Sequence, residues 1–186
     1  MPPILLVPIP PLRPDALASL ARQLERRFRV PTITDGSKPV DPTPAFDASR
    51  YQYYSSLLLS ALLRLYAAYD GKILAVTEAD LYIPVLTFVF GEAQLDGKAA
   101  VVSIRRLDER FYGLPERASL LEERLLKEAV HELGHTYGLL HCRQFECVMH
   151  SSTVVEEIDL KSSSFCPECA RLLEKRKKKN RRTEID

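Results

Sequence analysis

The segment "VHELGHTYGLLHCRQFECVMH" (Val130–His150) holds all four histidines of the chain and two of its four cysteines. His131 and His135 stand four residues apart at the end of a run with helical periodicity. That spacing puts both imidazoles on one helix face, with Cβ atoms about 5–6 Å apart. Leu125, Ala129, Val130, Leu133 and Tyr137 fall on the opposite side, so one helix can bury a face and still offer its histidines to a cleft. Glu132 lies about 100° round the helix from His131. Gly138 can take the left-handed conformation that ends a helix, which brings His141 round as a third imidazole. Three imidazoles, one carboxylate and one open coordination position suit a catalytic zinc rather than a structural one. The fixed offsets H-E-x-x-H-x-x-G-x-x-H cut accidental matches roughly a thousandfold relative to the bare five-residue string.

Cys142 and Cys147 follow at C-x4-C spacing, and after 18 residues Cys166 and Cys169 follow at C-x2-C. Two close pairs read as a closed, tetrahedral four-cysteine zinc site. The rival reading, two disulfides or a redox pair, needs an oxidising compartment. "MPPILLVPIPPL" is broken by five prolines and lacks a basic leader, so it reads as a buried strand rather than a signal peptide. No apolar run nears the length of a membrane span. The expectation is therefore a cytoplasmic protein with two zinc ions, His141 and Cys142 facing different metals.

The rest of the chain alternates between two periodicities. A continuous apolar run at 3–9, a poorer one at 30–34, a segment at 72–82 that begins as a buried strand, and runs at 87–93 and 99–104 joined by "QLDG" predict strands, the last pair able to be antiparallel. Helical spacing predicts helices over 13–28, with Pro14 near the start, over 49–71 and over 115–140; residues 35–49 read as a loop. The fold class is α/β (α+β): a mixed, mostly parallel sheet with one antiparallel edge strand and two long helices. Residues 1–170 carry 18 Lys and Arg against 22 Asp and Glu, while the last 16 carry 8 against 3. Residues 1–174 are thus expected to form one domain, and the basic segment 175–186 a disordered tail. Nucleic-acid binding is disfavoured because that tail holds no aromatic residue to stack on bases.

"HELGHTYGLLHC", "CVM" and "FCPEC", in that order and at this spacing, resemble the archaemetzincins, a metzincin-clan family of zinc metallopeptidases; "FVFGEA" and "RYQY" extend the resemblance upstream. The resemblance implies a metzincin-like zincin fold with an upper subdomain over 1–138 and a small Cys-zinc lower subdomain over 139–174. It implies a catalytic zinc on His131, His135 and His141, with Glu132 as general base toward a zinc-bound water. It implies a structural zinc on Cys142, Cys147, Cys166 and Cys169, and Met149 as an apolar floor beneath the histidines. It implies hydrolysis of peptide substrates, with endo- and aminopeptidase action both open; a monomer is expected. The chain departs from some metzincins in having Ser151, not Tyr, two residues after that methionine. A catalytically weak peptide-binding protein on the same scaffold is therefore the alternative reading, and a nucleic-acid-binding zinc protein ranks below it. His150 reads as a solvated loop residue.

Overall fold

The computed structural model describes residues 2–12 and 16–182. In chain order its elements are β1 (Ile4–Pro8), α1 (Ala16–Phe28), β2 (Thr32–Thr34), β3 (Phe46–Asp47), β4 (Gln52–Tyr54), α2 (Ser55–Leu65), β5 (Ile73–Thr77) and β6 (Leu81–Tyr82). They continue with β7 (Gly91–Ala93), β8 (Ala99–Ser103), α3 (Ala118–Thr136), α4 (Val155–Leu160) and α5 (Pro167–Arg182). The main sheet has the order β2-β1-β5-β8-β7; every pairing is parallel except that of the edge strand β7, which runs antiparallel to β8. This is the mixed, mostly parallel sheet with one antiparallel edge that the sequence predicts.

Strand alternation builds two cores, one on each face. Ile4 and Leu6, Leu74 and Val76, Ala100 and Val102 point to the side of α1 and α3. Leu5 and Val7, Ile73 and Ala75, Ala99 and Val101 point to the side of α2. Strands β5 and β8 are buried along their whole length, which is why their sequences are apolar throughout rather than alternating. The main sheet thus fixes α3 beneath its β8–β7 edge.

The structure departs from the sequence reading in five places, the first being that residues 35–49, expected as a loop, hold the short strand β3. The helix expected over 49–71 is shorter, and its first residues form β4 in a second, three-stranded sheet with β3 and β6. Gln52 draws that segment into strand geometry, its amide donating to Asp80 Oδ2 and Thr87 O, both at 3.0 Å. The helix stops early because Lys98 Nζ donates to the carbonyls of Tyr66, Ala67 and Tyr69 just past its end. The strand expected over 87–93 pairs with β8 only at Gly91–Ala93, Val89 bridging to Leu81 instead. The helix expected over 115–140 is confined to Ala118–Thr136. Finally, the segment expected to be a disordered tail is helical through Arg182, as the second half of α5. Pro14 and residues 183–186 lie outside the described residues. No described helix is long and apolar enough to cross a membrane.

Within the described part of this segment, Arg176 and Lys177 tie the helix to the body of the chain. Lys177 is 5% exposed, and its Nζ donates to Phe28 O at 2.6 Å and Glu174 Oε1 at 3.2 Å. Arg176 reaches Asp96 at 3.3 Å. The Lys177 ammonium also lies 5.7 Å from the ring centroid of Phe28 and 6.0 Å from that of Tyr137, within reach of a cation–π attraction. A buried bond from a charged donor contributes about 1.5–3 kcal/mol. Truncation after Glu174 is therefore expected to lower the melting temperature by roughly 4–10 °C. Truncation after Lys179 is expected to leave it within about 2 °C. Thermal unfolding of the two shortened chains checks this, and a tail without a docking role would make both silent.

Candidate active site

Helix α3 ends in a Schellman turn. Gly138 has φ of 80°; its N–H donates to His135 O at 2.8 Å, and Leu139 N–H donates to Gly134 O at 3.1 Å. Two further groups hold the same helix end: Asp96 N–H donates to His135 O at 2.9 Å, and Lys72 Nζ donates to Thr136 O at 2.8 Å. The reversal aims Leu139 O back at the helix, where His135 Nδ1–H donates to it at 2.7 Å. One turn earlier, His131 Nδ1–H donates to Val148 O at 2.8 Å. A carbonyl can only accept, so each bond fixes the tautomer and leaves Nε2 as a bare lone pair.

The two Nε2 atoms face each other at 3.0 Å. Two acceptors at that distance repel unless a cation lies between them. Tetrahedral zinc with Zn–N of about 2.0–2.1 Å sets its ligand nitrogens about 3.4 Å apart, close to what is seen. His141 completes the set, all ligand atoms lying within 4.8 Å of one another. His131 is buried, His135 half-buried and His141 exposed, so the site opens on the His141 side. Burial, reinforced by Lys161 and His135, pushes His131 well below the ordinary imidazole range; burial also lowers His135 and His141. The lowered proton affinity of all three favours the neutral imidazole that metal ligation requires.

Glu132 is buried beneath the sheet edge. Burial and then Glu128 push its carboxyl well above the usual range, with Lys161 opposing and Glu92 adding to the rise. Gly91 of β7 makes room for it: a Cβ there would stand 2.6 Å from Glu132 Cγ and 2.7 Å from Val101 O. Next to Gly91, Glu92 points to the other face and accepts from Ser55 and Ser56 in the first turn of α2. Met149 is fully buried, its Sδ seated where a Cβ on Gly134 would be. His150 is not a free loop histidine; its Nδ1–H donates to Cys142 O at 2.9 Å and its ring packs on Phe145.

The four cysteines converge separately, again with ligand atoms within 4.8 Å of one another. Cys142 Sγ and Cys166 Sγ are 3.9 Å apart, near the roughly 3.8 Å set by tetrahedral Zn–S bonds of about 2.3 Å and far beyond a disulfide. Backbone N–H groups of Gln144, Cys166 and Cys169 point at the sulfurs of Cys142, Cys147 and Cys166. Those donors favour thiolates. Every metal-site residue expected from the sequence thus lies in one of two clusters. The sequence reading missed the groups around them: Gly91, Gly134, Lys72, Asp96, Glu128 and Lys161. Gly134 lies inside the histidine motif and Gly91 inside "FGEA", where a glycine in a helix or strand signals close approach. The other four carry no sequence signal.

A helix presenting two imidazoles, a third beyond a left-handed glycine and a buried carboxylate under a sheet edge define a zinc-peptidase type of site. The model of Peptidase family M54 matches residues 38–175. The archaemetzincin of Pyrococcus furiosus is 40% identical over 178 residues, covering 93% of both chains. The chain therefore belongs to the archaemetzincins, a family of zinc metallopeptidases. Among solved structures, archaemetzincin from Archaeoglobus fulgidus, complexed with malonate, superposes with a TM-score of 0.79 at 36% identity, over 91% of this chain and 98% of that one. A zinc-dependent peptidase from Methanocorpusculum labreanum does so with a TM-score of 0.81 at 31% identity, over 91% and 99%.

Replacing a helix-interior glycine by alanine ordinarily gains up to about 1 kcal/mol. At Gly134 the added methyl meets the sulfur of a fully buried methionine, and overpacking of this kind costs about 1–3 kcal/mol. Gly134→Ala is therefore expected to lower the melting temperature, a sign that calorimetry reads directly.

Proposed function

We propose that the protein is a zinc-dependent metallopeptidase in which His131, His135 and His141 hold the catalytic zinc and Glu132 is the general base. The observation that carries the reading is the pair of Nε2 lone pairs facing each other at 3.0 Å, with both Nδ1 protons committed elsewhere, beside a buried carboxylate. Zinc at this position supplies an acidified water and a Lewis acid for a peptide carbonyl. The chain's own groups do the rest. Glu132, enclosed against Gly91 one residue from His131, would take a proton from the attacking water and pass it to the departing amine. Edge strand β7 passes directly over Glu132 and offers a place where an extended peptide adds to the sheet.

The four cysteines hold a second, structural zinc. Their cluster is closed and mostly buried, with Cys142 alone half-buried, whereas the histidine cluster has an exposed member. Mild chelation is therefore expected to remove one of about two zinc ions per chain and to leave the other. Elemental analysis before and after dialysis against a chelator reads this; two ions lost together would remove the distinction between the sites.

Glu132→Gln keeps the shape of the side chain and cannot accept the proton. It is expected to reduce hydrolysis of a responsive peptide from a mixed-sequence library by at least about 10²-fold, with zinc content unchanged. Loss of a zinc along with activity would give Glu132 a different role. If the unaltered protein cleaves no peptide while binding peptides, the catalytically weak reading, motivated by the exposed Ser151 after the methionine, takes its place.

A further inference from the structure

Lys161 is enclosed next to the histidine cluster. Its side chain is 1% exposed, as against 5% for Glu128, its partner. Its Nζ lies 2.9 Å from Glu128 Oε1, within ion-pairing distance though off the direction of a hydrogen bond, and donates to His150 O at 3.2 Å. An enclosed ion pair costs several kcal/mol of desolvation per ion, and apolar residues of similar size often fill such a place with no loss of stability. Stability alone therefore gives no reason for a lysine here. Enclosure also prevents it from touching a substrate.

Its connections suggest another reason. Glu128 lies on α3 three residues before His131 and four before Glu132, the spacings that share a helix flank. His150 directly follows Met149, whose sulfur sits on Gly134. The segment containing Lys161 runs beside the one containing Met149: Ser162 N–H donates to Glu146 O at 2.9 Å and Val148 N–H donates to Ser164 O at 3.0 Å. Val148 O in turn accepts from His131 Nδ1–H. Lys161 thus ties the 146–150 segment, which orients His131 and carries Met149, to the helix that bears the ligands.

We propose that Lys161, paired with Glu128, is a positioning residue of the histidine metal centre, clamping the 146–150 segment onto α3 so that Val148 O and Met149 hold the ligands in register. The proposal rests on the zinc reading above, and its test reads metal binding without requiring turnover. The variants are Lys161→Met and the double variant Glu128→Met with Lys161→Met. The probe is Co2+, whose d–d absorption at the histidines is separable from thiolate-to-cobalt charge transfer at the cysteines. Each site's affinity is titrated against a chelator, alongside thermal unfolding.

Lys161→Met leaves Glu128 enclosed without its cation, so melting temperature and histidine-site affinity are both expected to fall. The double variant is expected to regain its melting temperature. Its histidine-site affinity is expected to stay about tenfold below the unaltered protein's, the low end of what outer groups around a metal contribute, with the cysteine site unchanged. Where the single variant fails to fold, the double decides. A double variant with full affinity at the histidines would reduce the pair to a structural one and overturn the proposal. An unaltered protein that takes up no metal at the histidines would overturn the zinc reading and this proposal with it.

Discussion

The geometry of the centre depends on where α3 stops. A helix can deliver two imidazoles from one face, at i and i+4, but not a third unless the chain turns back within a few residues. Gly138, at φ of 80°, makes that turn without a steric penalty. The helix's terminal carbonyls would otherwise be orphaned, and each is used. Gly134 O takes Leu139 N–H, His135 O takes Gly138 and Asp96, and Thr136 O takes Lys72. Asp96 and Lys72 come from the β7–β8 turn and the start of β5, so the sheet itself fixes the end of the ligand-bearing helix. One consequence is that Leu139 O is aimed at His135 and sets its tautomer. Backbone termination and ligand chemistry are thus a single arrangement.

Much of this was legible in the sequence, and what was legible was local. Apolar continuity marked β1, β5 and β8 because both faces of each are covered, by α1 and α3 on one side and α2 on the other. Periodicity marked α3, and the histidine and cysteine spacings marked both clusters. What failed depended on distant partners. The strand at Gln52–Tyr54 looked helical because its tyrosines and the leucines after it keep helical spacing; its pairing with β3 and β6, and the Gln52 amide bonds to Asp80 and Thr87, make it a strand. The basic segment after Glu174 looked solvated because no sequence rule shows that Lys177 meets the carbonyl of Phe28, 149 residues away.

The site itself divides in the same way. Ligands announce themselves, since few side chains bind metal and their spacing is constrained. The groups that hold them do not. Lys72, Asp96, Glu128 and Lys161 are ordinary charged residues, of the kind that usually sits on a solvated face, until the fold encloses or docks them. Gly91 and Gly134 are intermediate cases: each sits in a recognisable motif, yet the reason for it is a side chain, Glu132 or Met149, brought close by tertiary packing.

The contrast between the clusters explains why they adjoin. His131 and His135 are placed by a regular helix, but His141 lies in an exposed loop, and a loop ligand must be ordered at a cost of about 1–2 kcal/mol per residue. The next residue offsets that cost. Cys142 N–H donates to Met149 O at 2.9 Å, Cys142 O accepts from His150 Nδ1–H at 2.9 Å, and Cys142 Sγ joins a cluster with sulfurs from α5 and the segment before it. Backbone and side chain of one residue therefore anchor the loop in two directions, toward the floor of the histidine centre and toward the C-terminal helix. On the proposed reading, the cysteine zinc is what makes the second anchor rigid. It leaves the histidine centre free to keep an exposed ligand and an open position, which a closed site of the same four-coordinate geometry would not allow.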